Sequence, residues 1–185
     1  MKIAYMMSKF PKLSETFVLN EMIEMRRLGV DISVFPLVHL DEATKHPEVE
    51  QFAKRIVQVR VFSLSGFRAH VYWFLKKPFL YIRLWVSVLA CNIMSPKFLS
   101  RTLVVMLKAP VFAFEIQRRG IEHIHAHWGT HPTTAAFVSK RLCGATFSFT
   151  AHAHDLFVKR PMLKRKILES EFMVTISEYN RNLVM

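Results

Sequence analysis

The first 35 residues constrain the fold more tightly than any other stretch. Lys2 to Met7 is a short apolar run that suits a strand, and Asp31 to Phe35 is a second one, closed by Pro36. Between them, from about Glu15 to Leu28, Val18, Met22 and Met25 fall on one stripe at helical spacing. Gly29 stands where a helix C-cap needs a residue free to turn left-handed. Strand, helix and strand in this order make a βαβ unit, which predicts a parallel sheet.

The same alternation returns in the second half. Glu122 to Ala126, Thr146 to Thr150 and Phe172 to Ile176 read as strands. Pro132 to Leu142, closed by Cys143-Gly144, and the basic run Pro161 to Glu169 read as helices, and Ser177 is a good N-cap for a helix beginning at Glu178. In the middle, a short helix is expected around Pro47 to Ala53. A third strand is expected at Ile56 to Phe62, where Ile56, Val57, Val59 and Val61 are β-branched. Phe67 to about Arg119 reads as mainly helical, broken near Pro78, Pro96 and Pro110 and ended by Gly120. The expected fold class is α/β: one Rossmann-like domain over residues 1–185, with a parallel sheet, helices on both faces and a helical insert at about 67–119.

Composition narrows the class. Apolar residues make up 51% of the 185, enough for a core, and glycine is scarce, so order is expected over most of the length. Two cysteines, Cys91 and Cys143, make no disulfide framework, and the apolar run after Met1 is too short for a signal peptide. A reduced, cytoplasmic setting is expected. The net charge is +12, and no acidic residue falls between Glu50 and Glu115. That stretch interleaves Lys76, Lys77 and Arg83 with large apolar residues, which suits docking on an anionic membrane surface, with these three as contacts. A solvated face over an ordinary core is the plain alternative, and nucleic acid is not expected as a partner. Phe79 to Met94 contains Arg83 and falls short of the roughly 20 apolar residues of a membrane span.

Two strand ends carry the chemistry. Phe147-Ser-Phe-Thr-Ala leads into His152-Ala-His154-Asp155, and Ile124 leads into His125-Ala-His127-Trp128-Gly129; six of the nine histidines lie between His123 and His154. In open α/β sheets ligands bind outside the carboxyl ends of the strands, so these segments read as two walls of one cleft, with Trp128 a candidate lining residue. His123 reads as a structural strand residue. The first strand–helix loop, Ser8 to Phe17, has no glycine and does not match a dinucleotide-binding loop, although the amides opening the next helix could hold a polar or anionic group. Ser14 could also be no more than an N-cap. A metal-dependent hydrolase is a rival reading, since His125, His127, His152, His154 and Asp155 are ligand types, but Leu156 sits where a His-x-His-x-Asp-His pattern needs aspartate.

Phe10-Pro-Lys-Leu-Ser-Glu-Thr-Phe-Val-Leu-Asn-Glu-Met, Leu28-Gly-Val-Asp-Ile-Ser-Val, Ile124-His-Ala-His-Trp-Gly, Phe147-Ser-Phe-Thr-Ala-His-Ala-His-Asp-Leu and Val174-Thr-Ile-Ser-Glu-Tyr-Asn-Arg together resemble the amino-terminal half of retaining glycosyltransferase family 4, nearest its colanic-acid and exopolysaccharide type. The resemblance implies the GT-B fold, two Rossmann-like domains facing across a cleft. This chain would be the acceptor-binding domain, and the donor-binding domain with its Glu-x7-Glu motif would be absent from it. It implies a nucleotide-sugar donor, a saccharide or lipid-linked acceptor, and neither cofactor nor metal. Under it, His152 is the catalytic histidine beside the donor sugar. Ser14, Glu15, Thr16, His127, Trp128, His154 and Asp155 bind substrate, and Lys164, Arg165 and Lys166 lie near an anionic acceptor. A separate chain could supply the donor domain, and the 185 residues alone would transfer little or nothing. The alternative from another class is a non-catalytic membrane-associated binding module.

Overall fold

The computed structural model describes residues 1–12, 14–40, 46–157 and 162–184. It holds a five-stranded, all-parallel sheet in the order β2-β1-β3-β4-β5. The strands are β1 (Lys2–Phe10), β2 (Asp31–His39), β3 (His123–His127), β4 (Thr146–Ala151) and β5 (Met173–Thr175). The helices are α1 (Thr16–Arg27), α2 (Leu64–Lys76), α3 (Pro78–Ala90), α4 (Pro96–Arg119), α5 (His131–Cys143), α6 (Ala153–Phe157), α7 (Leu163–Glu169) and α8 (Glu178–Val184), with a 3-10 helix at Pro47–Arg55. The fold is the expected Rossmann-like α/β class. Pro161, expected to open the basic helix, lies outside the described residues.

Strand alternation divides the core in two. Ala4, Met6, Ile124, Ala126, Phe147 and Phe149 turn to the face covered by α2 to α5 and build the larger core with Trp73, Phe112 and Phe137. Ile3, Tyr5, Met7, Ile32 and Val34 turn to the opposite face, where Val18, Leu19 and Met22 of α1 cover them. On β3 the alternation puts His123, His125 and His127 on the α1 face, with Ser148 and Thr150 of β4 beside them. The sheet is therefore apolar throughout on one face and polar over β3 and β4 on the other.

Three expectations need correction. Pro36 does not close the second strand: β2 runs on to His39, with Pro36 paired opposite Met7. A proline withholds a ladder donor, which an edge strand tolerates, and β2 is the edge. Ile56 to Phe62 forms no third strand; it makes a single parallel bridge, Ile56 to Val34. Its β-branched residues pack instead against the cores, Val57 and Val59 on one and Ile56 on the other. Pro110 does not break the insert, because α4 continues through it. The missing N–H would have bound Met106 O one turn back. Beside it, Leu107 O accepts from His70 Nε2 at 2.9 Å. Further on, Ser139 Oγ donates to Ala109 O at 3.1 Å and Trp73 Nε1 to Pro110 O at 2.8 Å, which ties this part of α4 to its neighbours.

Candidate functional site

The strand order reverses between β1 and β3, since β1 leads to β2 on one side and β3 leads to β4 and β5 on the other. Such a switch point opens a crevice at the carboxyl ends of the strands. The loops after β1, β3 and β4 meet there. His152 follows β4, and its ring lies 5.3 Å from that of Phe17, 5.4 Å from that of Trp128 and 6.2 Å from that of His127, centroid to centroid. Among the described residues, His152 Nε2 is buried with no hydrogen-bond partner. Burial, reinforced by His127, lowers its pKa below the ordinary histidine value against the opposing pull of Asp155 and Glu21. A neutral imidazole with a free ring nitrogen can donate or accept one hydrogen bond to a ligand hydroxyl.

Trp128 stands at a positive φ of 72°. That is a costly conformation for a bulky side chain, and strain of this kind concentrates at ligand sites. It is held from three sides: Trp128 N–H donates to Thr150 O at 3.0 Å, Thr133 Oγ1 donates to Trp128 O at 2.6 Å, and the next residue, Gly129, is bound by Asp155. Asp155 Oδ2 accepts from Gly129 N–H at 2.8 Å and from His152 N–H at 3.0 Å. A Cβ on Gly129 would come within 3.2 Å of Asp155 Cβ, so this approach needs glycine.

The structure sorts the residues expected to form the site. His127, Trp128 and His152 come together. Asp155 is almost fully buried: Oδ2 is spent on backbone amides and so shapes the two loops, while Oδ1 has no hydrogen-bond partner among the described residues. His154 is exposed on α6, and among the described residues no hydrogen bond or ring contact joins it to the cluster, because one residue along a helix from Asp155 points elsewhere. Ser14 and Thr16 are exposed beside the crevice, and Glu15 pairs with Lys12. The N-cap of α1 is Glu15, not Ser14; among the described residues no side chain caps the helix, and Val18 N–H bonds Glu15 O at 3.1 Å.

The basic carry-overs fare differently. Lys166 is fully buried, with Nζ donating to Gly129 O at 2.7 Å and to Thr130 O at 2.8 Å. Burial pulls its pKa down to about 7, against the opposing charge of Asp155. It braces the loop after β3 from behind and cannot meet an acceptor. Arg165 lies over the Phe137 ring and near Glu169. Of the expected membrane contacts, Lys76 and Arg83 are exposed, but Lys77 is half-buried and donates to Leu142 O at 2.7 Å, closing the end of α5. Among the described residues no helix is long and apolar enough to cross a membrane.

Two residues of the site were not anticipated. Phe17 walls the crevice opposite Trp128, 6.2 Å between rings. Glu21, one helical turn on, reaches under it to the β3 histidines: Oε1 accepts from Tyr5 OH at 2.9 Å and lies 3.6 Å from His125 Nε2 and 3.5 Å from His127 Nε2. Burial alone would raise the Glu21 carboxyl, but His127, His125 and Tyr5 outweigh it and hold the group below its ordinary value. Tyr5 is pushed up by burial and by Glu21. Burial, with His127, drops His125 to about 4. His123 is satisfied on both nitrogens, by Thr146 and Ser148, as a structural residue would be. The i, i+4 spacing of Phe17 and Glu21 was the available signal.

Comparison with known protein families finds no match for this chain, and no curated protein matches it. What the fold and site define is a class: a Rossmann-like α/β domain with an aromatic- and histidine-lined crevice at the switch point of its sheet.

Proposed function

We propose that the chain is the acceptor-binding half of a retaining, GT-B-type glycosyltransferase of family 4, acting in cell-surface polysaccharide synthesis. The observation that carries the reading is His152, with its unpartnered Nε2 set between Phe17 and Trp128 at the switch point. Flat aromatic walls and one convergent polar group suit a sugar ring, which offers apolar C–H faces and hydroxyl edges. The motif resemblance supports the same assignment. The donor nucleotide-sugar is then held outside these residues, by a second domain or a partner chain, and His152 contacts the sugar being transferred. The acceptor is a saccharide or a lipid-linked saccharide, and the protein works at the cytoplasmic face of the membrane.

A panel of mono- and oligosaccharides tested by saturation-transfer NMR checks this reading. Saccharide protons should receive saturation from the wild-type chain and lose it with His152→Ala. Equal transfer to the variant, or none to the wild type from any saccharide, overturns it.

A further inference from the structure

Beneath the crevice, α1 brings one carboxylate onto the histidine column of β3. Glu21, His125 and His127 each present one ligating atom, and the three atoms lie within 4.8 Å of one another. We propose that these residues form a site for a divalent transition-metal ion of the zinc class. The inference does not depend on the glycosyltransferase reading, which implies no metal.

The donor set is two imidazoles and one carboxylate, a combination that holds zinc while leaving a coordination position open. With metal–ligand bonds of about 2.0–2.1 Å, neighbouring donors of a tetrahedral ion sit roughly 3.3–3.5 Å apart. The Glu21 oxygen already stands 3.6 Å from His125 Nε2 and 3.5 Å from His127 Nε2. Both histidines are alternate residues of one strand, so the backbone fixes them on the same face. The spacing is built in and does not rely on a loop.

The surroundings fit ligation. His125 Nδ1 shares a hydrogen bond of 2.8 Å with Ser148 Oγ, which orients the ring with Nε2 toward Glu21. Tyr5 OH anchors the Glu21 carboxylate. Such outer partners usually accompany metal ligands. The independent observation is His127: it is completely buried, and among the described residues Nδ1 has no hydrogen-bond partner while Nε2 faces only Glu21 Oε1, at a long 3.5 Å. A buried imidazole with so weak a contact is under-satisfied, and an ion between Nε2 and the carboxylate would satisfy both. His125 Nε2 would exchange its 3.1 Å contact with Thr150 Oγ1 for the ion. A cavity of about 430 Å³, lined by Tyr5, Glu21, His125 and Thr150, opens onto the cluster and gives an ion and one further ligand a way in.

The test uses the untagged chain, stripped with chelator and titrated with Zn²⁺ by calorimetry and with Co²⁺ by visible absorption. We expect one equivalent of each, with the ligand-field bands of a four- or five-coordinate Co²⁺. Glu21→Gln and His127→Gln should each weaken binding by about tenfold or more, whereas His154→Gln should leave it unchanged. Glu21 is the most accessible of the three, so Glu21→Gln is the variant least able to disturb folding; circular dichroism confirms that it is folded. Zn²⁺ should raise the melting temperature of the wild type and not of Glu21→Gln. Absence of saturable binding overturns the site. So does undiminished affinity in folded Glu21→Gln, or loss of binding with His154→Gln, which would mean an ion held by exposed histidines only.

Discussion

The Asp155 carboxylate accepts the backbone N–H of Gly129 at 2.8 Å across 26 residues of chain. The carbonyl of the same glycine accepts from Lys166 Nζ at 2.7 Å. Gly129 is thus bound on both sides by buried charged groups, and through it the loop after β3 is locked to the loop after β4. That lock sets the distance between Trp128 and His152.

Removing the carboxylate should open the lock. Asp155→Ala leaves one buried and one part-buried amide without acceptors and Lys166 without its opposite charge, at about 1–3 kcal/mol for each unsatisfied group. A total loss of about 3 kcal/mol or more is expected in urea denaturation. Asp155→Asn, which keeps an acceptor oxygen, should lose markedly less. Equal losses for the two would show that the amides, and hence the lock, do not depend on an oxygen at this position.

Lys166 gives stability a distinctive pH dependence. Its folded pKa is about 7, far below the unfolded value near 10.4. Between these values the unfolded chain binds more protons than the folded one, so stability rises with pH across the interval, by an amount on the order of 4 kcal/mol. Below about pH 7 the full cost of burying the ammonium remains. Denaturation of wild type and Lys166→Met at several pH values should therefore show the wild type gaining on the variant as pH rises. Parallel curves would mean that Lys166 is not buried as described.

Trp128 is strained by its backbone and useful by its ring. Trp128→Gly releases a conformational cost of about 1–3 kcal/mol while giving up half-buried packing. Net stability should change by no more than about 1 kcal/mol, while the saccharide contact expected at the crevice is lost. A large destabilisation would mean that the ring matters for the core and not for a ligand.

What was legible in the sequence follows from which forces are local. The βαβ unit of residues 1–35 announced itself through periodicity and Gly29, and the polar strand ends at His127 and His152 stood out because folding alone does not call for them. The errors arose where tertiary context overrode a local rule. Pro36 is tolerated because β2 is an edge strand, and α4 runs through Pro110 where His70, Trp73 and Ser139 tie the turns on either side of it to neighbouring elements. Lys166 reads as a ligand contact because it is charged and near the motif, yet its partners, Gly129 and Thr130, lie 36 to 37 residues away, and the bond from Asp155 to Gly129 spans 26. Glu21 gains its role only when α1 is laid over β3.

The helical insert carries the remaining prediction. Phe62 just before α2, Phe79 on α3 and Met94 just after α3 are 95%, 89% and 93% exposed, and Lys76 on α2 and Arg83 on α3 are exposed too, in a stretch without any acidic residue. Each basic residue near an anionic surface contributes about 1 kcal/mol, so reversing Lys76 and Arg83 to glutamate removes about 2 kcal/mol and adds repulsion. Partitioning to phosphatidylserine-containing vesicles should fall by roughly thirtyfold or more, and high salt should weaken the wild type in the same direction. Lys77→Ala, by contrast, should act mainly on stability, since its Nζ is spent on Leu142 O. Vesicle sedimentation that is unchanged by the double reversal would leave these apolar side chains as a face for another protein and remove the membrane from the account.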